Sequence, residues 1–188
     1  LYKVLDDLAL QEVQLDLPDF SFYNLKPKGY DNIYRDKKGT EWAFKANRIY
    51  QINKLTKQAD KIFYFPGFIK YQILRILQVT EGDYIITTWK SGVFRFSPEL
   101  NRLEPISTLP EHVFSDILEW TYLKQKWITC ADGNFGLYLI SPADFSSRKY
   151  SFIPGDPSAI QGSLFNSLYV DKRGNLWIAS NMGINKIT

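Results

Sequence analysis

One unit recurs along this 188-residue chain: apolar strand, tight turn, aromatic-bearing strand, second turn, third strand. Its clearest form is residues 167–187. Asp171-Lys-Arg-Gly174 makes the first turn, Trp177 lies in the second strand, and Gly183 opens the third. Residues 33–52 repeat the layout around Asp36, Gly39 and Trp42, and residues 76–96 around Gly82 and Gly92, with Ile85 in the Trp position. Residues 117–140 form a looser copy around Trp127 and Gly136. The aromatic position thus falls at 42, 85, 127 and 177, with separations of 43, 42 and 50. A period of roughly 40–50 residues with several short strands per period is the signature of β-propeller blades.

The strands support that reading. Residues 93–96 and 137–140 are nearly apolar on both faces, which a blade sandwiched between two neighbours requires. Gly at the first turn tolerates the positive φ of a tight hairpin. A Trp at a fixed place packs between adjacent blades. The expected architecture is all-β: a propeller segment of four-stranded antiparallel blades, three full and two partial. The full blades cover about 30–69, 70–115 and 116–164, and the partial ones 1–29 and 165–188. In the 70–115 unit the strands are expected at 71–80 (innermost), 84–88, 92–97 and 103–108 (outermost). A β-sandwich with accidental self-similarity is the competing fold. Helix is confined to a turn or two at 5–13 and 143–147. The chain opens at Leu1 without a signal-peptide pattern, and it starts and stops inside blades. It therefore reads as a chain whose leader was removed or as a piece of a longer protein, and the open faces call for further blades or for the two partial blades to combine and close a small ring.

Composition closes off other classes. Thirteen Phe, 12 Tyr and 5 Trp argue against disorder. A single cysteine, Cys130, excludes a disulfide scaffold, and no apolar run is long enough to span a membrane. A net charge of +3, spread along the chain, does not indicate nucleic-acid binding.

Residues 167–187 resemble the two-component regulator propeller repeat: an apolar strand, Asp-x-x-Gly-Asn-Leu-Trp-Ile-(Gly/Ala)-(Thr/Ser), a short turn, then Gly-(Leu/Ile). Asp171, Gly174, Asn175, Leu176, Trp177, Ile178, Ala179, Ser180, Gly183 and Ile184 match. The match is partial at Asp36, Gly39 and Trp42, where Arg48 replaces the turn Gly, and at Gly82, Asp83, Ile86, Thr87 and Gly92, which lack the Trp. Around Trp127, Ile128, Thr129, Gly136 and Leu137 the Asp-x-x-Gly is missing. The resemblance implies the periplasmic sensor region of a hybrid two-component regulator of Bacteroidetes-type bacteria, in a parent anchored in the inner membrane. Such parents carry kinase, receiver and DNA-binding modules downstream, and their ligands are typically oligosaccharides. The segment itself is expected to be non-enzymatic, with the rest of the sensor as its partner; a dimer is one arrangement open to it. No direct membrane contact is expected of it.

Little here suggests catalysis. His112, the single histidine, sits in a polar stretch near a turn and reads as a surface residue. Cys130 reads as a buried apolar filler, and one His with one Cys makes no zinc set. The pairs Asp6-Asp7 and Asp16…Asp19 lack glycosidase context. Asp132-Gly-Asn-Phe-Gly lacks the length and terminal Glu of a calcium loop. No catalytic residue, metal or cofactor is expected.

Binding has more support. In a propeller the Asp-x-x-Gly turns share one rim, and the second-to-third-strand turns share the other with the blade connections. Those opposite turns are Lys45-Ala-Asn47, Trp89-Lys90-Ser91, Asp132-Gly-Asn134 and Asn181-Met182. The candidate ligand-binding set is therefore Trp89, Lys90, Lys45, Asn47, Asp132, Asn134 and Asn181. Trp89 lies outside the recurrent aromatic position, so blade packing does not demand it. An exposed indole stacks on the apolar face of a sugar ring while amides and carboxylates bond its hydroxyls. Lys45, Lys90 and Arg48 would favour an acidic sugar. Residues 151–161 form a long connection, a candidate lid or interface loop. The rival readings are a propeller scaffold without a small ligand, and a propeller lyase or glycosidase.

Overall fold

The computed structural model describes residues 2–4, 10–12, 32–53, 55–56, 59–133, 136–156 and 158–188. Every regular element among them is a β-strand, and every sheet is antiparallel with strands in chain order. A hairpin comes first, β1 (Tyr2–Val4) with β2 (Leu10–Glu12). Blade I is β3 (Asn32–Arg35), β4 (Glu41–Lys45), β5 (Arg48–Ile52) and β6 (Ala59–Tyr64). Blade II is β7 (Ile73–Gln78), β8 (Tyr84–Thr88), β9 (Val93–Ser97) and β10 (Arg102–Pro105). Blade III is β11 (Phe114–Tyr122), β12 (Gln125–Asp132), β13 (Gly136–Ile140) and β14 (Ser147–Tyr150). Sheet IV has three strands, β15 (Phe165–Val170), β16 (Leu176–Ser180) and β17 (Gly183–Ile187). The first strands lie against one another, β3 to β7, β7 to β11 and β11 to β15, so they form the inner layer. This is a propeller segment of three full blades and two partial ones.

Of the two proposed helical turns, the first lies mostly outside the described residues, and neither is helical where it is described. Leu10–Glu12 is a strand, and 142–144 are a turn leading into β14. The 143–147 segment is too short to repay helix nucleation.

Period-2 alternation decides which neighbour each residue meets. Between blades I and II, Trp42, Phe44, Phe63, Tyr84, Ile86 and Phe96 are buried together. Between II and III lie Ile85, Val93, Phe114, Ile128, Cys130 and Tyr138. Between III and sheet IV lie Trp120, Trp127, Leu137, Phe165, Leu176 and Ile178. Trp42, Ile85 and Trp127 therefore all face the following blade. Trp177 has the corresponding face in sheet IV, where Tyr169 and Ile184 beside it are 61% and 74% exposed.

Register corrects one copy. Trp42 pairs with Tyr34, Ile85 with Leu77, and Trp177 with Tyr169, each three residues before the end of its strand. Counted the same way, the matching residue of β12 is Thr129, paired with Leu118, and Trp127 lies one pleat further out. The displacement follows from the turn. Blade III lacks Asp-x-x-Gly and runs longer strands to a two-residue hairpin, Leu123-Lys124, at φ 50° and 62°. That is a type I′ geometry built without Gly.

Candidate functional site

The two rims are built differently. On the first-turn rim, Asp36 Oδ1 accepts from the amides of Lys38 and Thr40, and Oδ2 accepts from Trp42 Nε1 at 3.1 Å. Asp171 does the same for Arg173, Asn175 and Trp177 Nε1, the last at 2.9 Å. The Asp of the motif thus serves to close the turn and hold the Trp. The Asn175 side-chain amide, donating to Oδ2 at 2.7 Å, contributes most to holding the Asp171 carboxyl below the usual carboxylate range, with Trp177 next.

On the opposite rim, the second-to-third-strand turns are stitched to the blade connections. Trp89 N–H donates to Gln72 O, Gly133 N–H to Val113 O, and Asn181 N–H to Leu164 O. The same bond recurs because β7, β11 and β15 each carry a bulge beside that turn, at 73/75, 114/116 and 165/167. Asn47 Nδ2 donates to Ile69 O, and the Lys70 amide donates to Ser91 Oγ at 3.3 Å. Lys70 is thereby pinned between the turns of blades I and II.

Two adjoining clefts open there. One, of about 490 Å³, is lined by Lys45, Asn47, Lys70, Tyr71, Gln72 and Trp89. The other, of about 420 Å³, is lined by Lys70, Tyr71, Lys90, Glu111 and His112. Lys70 and Tyr71 form the ridge they share. Trp89 is 46% exposed and Tyr71 53%, so each ring keeps a face for a ligand. Lys90 stands at φ 62°, a left-handed backbone costing about 1–2 kcal/mol in a non-Gly residue. The turn that presents Trp89 and Lys90 bears that cost.

The sequence candidates divide accordingly. Trp89, Lys90, Lys45 and Asn47 converge on these clefts. Asp132 is fully buried and faces His112, its Oδ2 2.9 Å from Nδ1. It orients a half-exposed imidazole at the cleft wall and is not itself presented to a ligand. Asn181 caps the neighbouring connection, its Oδ1 accepting from the amides of Ser163 and Leu164. Asn134 lies outside the described residues. Arg48 is directed away, its guanidinium stacked on Tyr64 at 4.9 Å. Sequence reasoning missed Lys70, Tyr71, Glu111 and His112 as wall residues, because they belong to blade connections outside the repeat. The one available signal was the rim rule itself, which puts those connections beside the turns.

The described part of the long connection, 151–156 and 158–161, packs elsewhere, beside β17. Gln161 N–H donates to Asn185 Oδ1 at 2.7 Å. Cys130 is wholly buried, and burial pushes its thiol well up, away from the reactive thiolate. Among the described residues, no three His, Cys, Asp or Glu side chains gather as a metal site.

Comparison with known proteins agrees with this geometry. Residues 159–182 match the family model of the two component regulator propeller, so the chain carries that repeat at its C-terminal end. No curated protein matches. Among solved structures, the chain is similar to the extracellular domain of BT3049 from B. thetaiotaomicron, assigned as a hybrid two component system. The TM-score is 0.63 at 16% identity, covering 83% of this chain and 22% of that one. It is equally similar to the extracellular domain of BT4673 from the same organism, assigned as a one component system. There the TM-score is 0.63 at 16% identity, covering 86% of this chain and 24% of that one. The chain thus spans about a quarter of the length of these domains.

Proposed function

We propose that this chain is part of the extracytoplasmic sensor of a two-component regulator, and that the rim between blades I and II binds an oligosaccharide. The observation that carries the reading is the paired clefts, where the exposed rings of Trp89 and Tyr71 stand beside Lys45, Asn47 and Lys70. Aromatic faces with a few convergent polar groups are the chemistry of sugar recognition, the ring gaining apolar contact while its hydroxyls keep hydrogen bonds. The similar fold of two solved extracellular domains, one of a hybrid two component system and one of a one component system, supports this reading. The segment acts by binding. Ligand binding signals if it favours one arrangement of the parent sensor over another, since only differential affinity moves an equilibrium. Calorimetric titration of the chain with an oligosaccharide panel, repeated with Trp89→Ala, tests the reading. Binding that falls at least tenfold in the variant supports it. Absence of heat across the panel would leave a protein-binding scaffold as the better account.

A further inference from the structure

A third cleft, of about 340 Å³, continues the rim outward, with Phe68, Lys70, Ser91, Ser107 and Glu111 in its wall. It shares Lys70 and Glu111 with the cleft that holds Lys90, and that cleft shares Lys70 and Tyr71 with the one that holds Trp89. The three therefore form one groove that bends around Lys70. Its inner end lies at Gln72, just before β7, and its outer end at Pro105, the last residue of β10. β7 to β10 are four neighbouring strands, so the groove crosses three strand spacings, about 14 Å. Phe68, Lys70 and Tyr71, all from the connection between blades I and II, wall it along its whole length. The amides of Phe68 and Ile69 donate to Phe65 O, which folds that connection into a tight turn. Asn47 Nδ2 then holds Ile69 O from blade I, and Ser91 Oγ holds the Lys70 amide from blade II. Phe68 rests edge-on against Phe94, ring centroids 6.4 Å apart at 80°, and keeps 48% of its surface open. Trp89, Tyr71 and Phe68 thus give each cleft an exposed aromatic ring.

We infer that the Phe68 cleft is an outer subsite for the same oligosaccharide, and that the groove takes a linear chain of at least three sugar rings, one to each aromatic platform. This rests on the glycan-binding reading and extends it. The ring in the outer subsite lies on Phe68, and its hydroxyls meet the Ser107 hydroxyl and the Glu111 carboxylate of the same wall. Each subsite filled adds apolar contact and hydrogen bonds on a scaffold already fixed by two blades, so affinity rises with chain length until the groove is full. Phe68 is the residue that sets this preference for length.

The test is calorimetric titration of the chain with linear xylo-, gluco- and galacto-oligosaccharides, each of two and of four rings. In a series that binds, four rings are expected to bind at least about tenfold tighter than two. Phe68→Ala is expected to shrink that advantage to about threefold or less. Ser107→Leu, which narrows the same cleft from an exposed turn on its other wall, should shrink it as well, and it decides the matter if thermal melts show Phe68→Ala unfolded. Equal affinity for two and four rings would overturn the outer subsite and leave the glycan site standing. A length advantage unmoved in the folded variants would do the same. Failure of every series with a folded chain would remove both readings.

Discussion

The Tyr84 hydroxyl of blade II donates to Asp36 Oδ2 of blade I at 2.7 Å, so the carboxylate that closes one blade's turn also ties it to the next. Asp36 is 5% exposed, and the same oxygen accepts from Trp42. Burial would raise this carboxyl, but the bonds from Tyr84, Trp42 and Thr40 outweigh it and hold it below the usual range. Burial, and after it the neighbouring Asp36 carboxylate, drives the Tyr84 phenol the other way, well above its ordinary value. Asp36→Asn should lower stability at neutral pH by roughly 2–3 kcal/mol, the usual worth of hydrogen bonds to a charged buried group. The sign with pH follows from the depressed carboxyl. Its contribution is complete above the unfolded carboxylate value of about 4 and fades as pH falls through the lower folded value. Urea titrations at neutral and acid pH should show wild type and variant converging in acid; a gap that widens there would contradict the account.

The repeat carried much of the fold. The Tyr84–Thr88 strand lies where the pattern put it, and the aromatic positions of three copies share one register. Trp127 misled because blade III replaces Asp-x-x-Gly by a Leu123-Lys124 hairpin, which lengthens both strands without changing the face. Face survives a two-residue shift in a strand; register does not. The candidate site was legible only in part. Topology assigns turn residues to a rim, so the grouping of Trp89, Lys90, Lys45 and Asn47 along adjoining clefts was legible. Lys70, Tyr71 and His112 lie in connections whose path over the rim no periodicity encodes. Asp132 shows the converse failure: a turn position says nothing about whether a carboxylate faces solvent or a neighbouring imidazole.

Gly136 opens β13 at φ 144°, and a Cβ there would lie 2.3 Å from the Tyr150 carbonyl oxygen of β14. That oxygen belongs to the backbone of the paired strand and cannot swing aside. Gly136→Ala should cost about 2–3 kcal/mol through strain and a displaced edge strand. Differential scanning calorimetry reads this as a lower Tm. A loss below about 0.5 kcal/mol, the range of ordinary surface changes, would mean the close approach is absent.

Thr129, the residue in register with the aromatic position, is fully buried, and among the described residues its Oγ1 has no hydrogen-bond partner. Thr87 Oγ1 in β8 is in the same condition. An unpaired buried hydroxyl carries a desolvation cost, and valine keeps nearly the same shape without it. Thr129→Val and Thr87→Val should each raise stability by about 1 kcal/mol in chemical denaturation. Destabilisation by either would show that the hydroxyl is satisfied.

Phe96 and Trp89 should separate packing from recognition. Phe96 has no exposure and meets Phe63 at 5.0 Å, Trp42 at 6.1 Å and Tyr84 at 6.2 Å between ring centroids, bridging blades I and II. Trp89 stands on the rim above that interface with nearly half its surface open. Phe96→Ala should cost about 3–5 kcal/mol, because it removes a buried ring and leaves a cavity the blades cannot close. Trp89→Ala should change stability by no more than about 0.5 kcal/mol, as open surface positions do. Its effect belongs in the oligosaccharide titration. If Trp89→Ala unfolds the chain as readily as Phe96→Ala, the indole is a packing residue and the rim loses its stacking platform. If stability holds while binding falls, the fold and the site are independent at this position, as the two exposures imply.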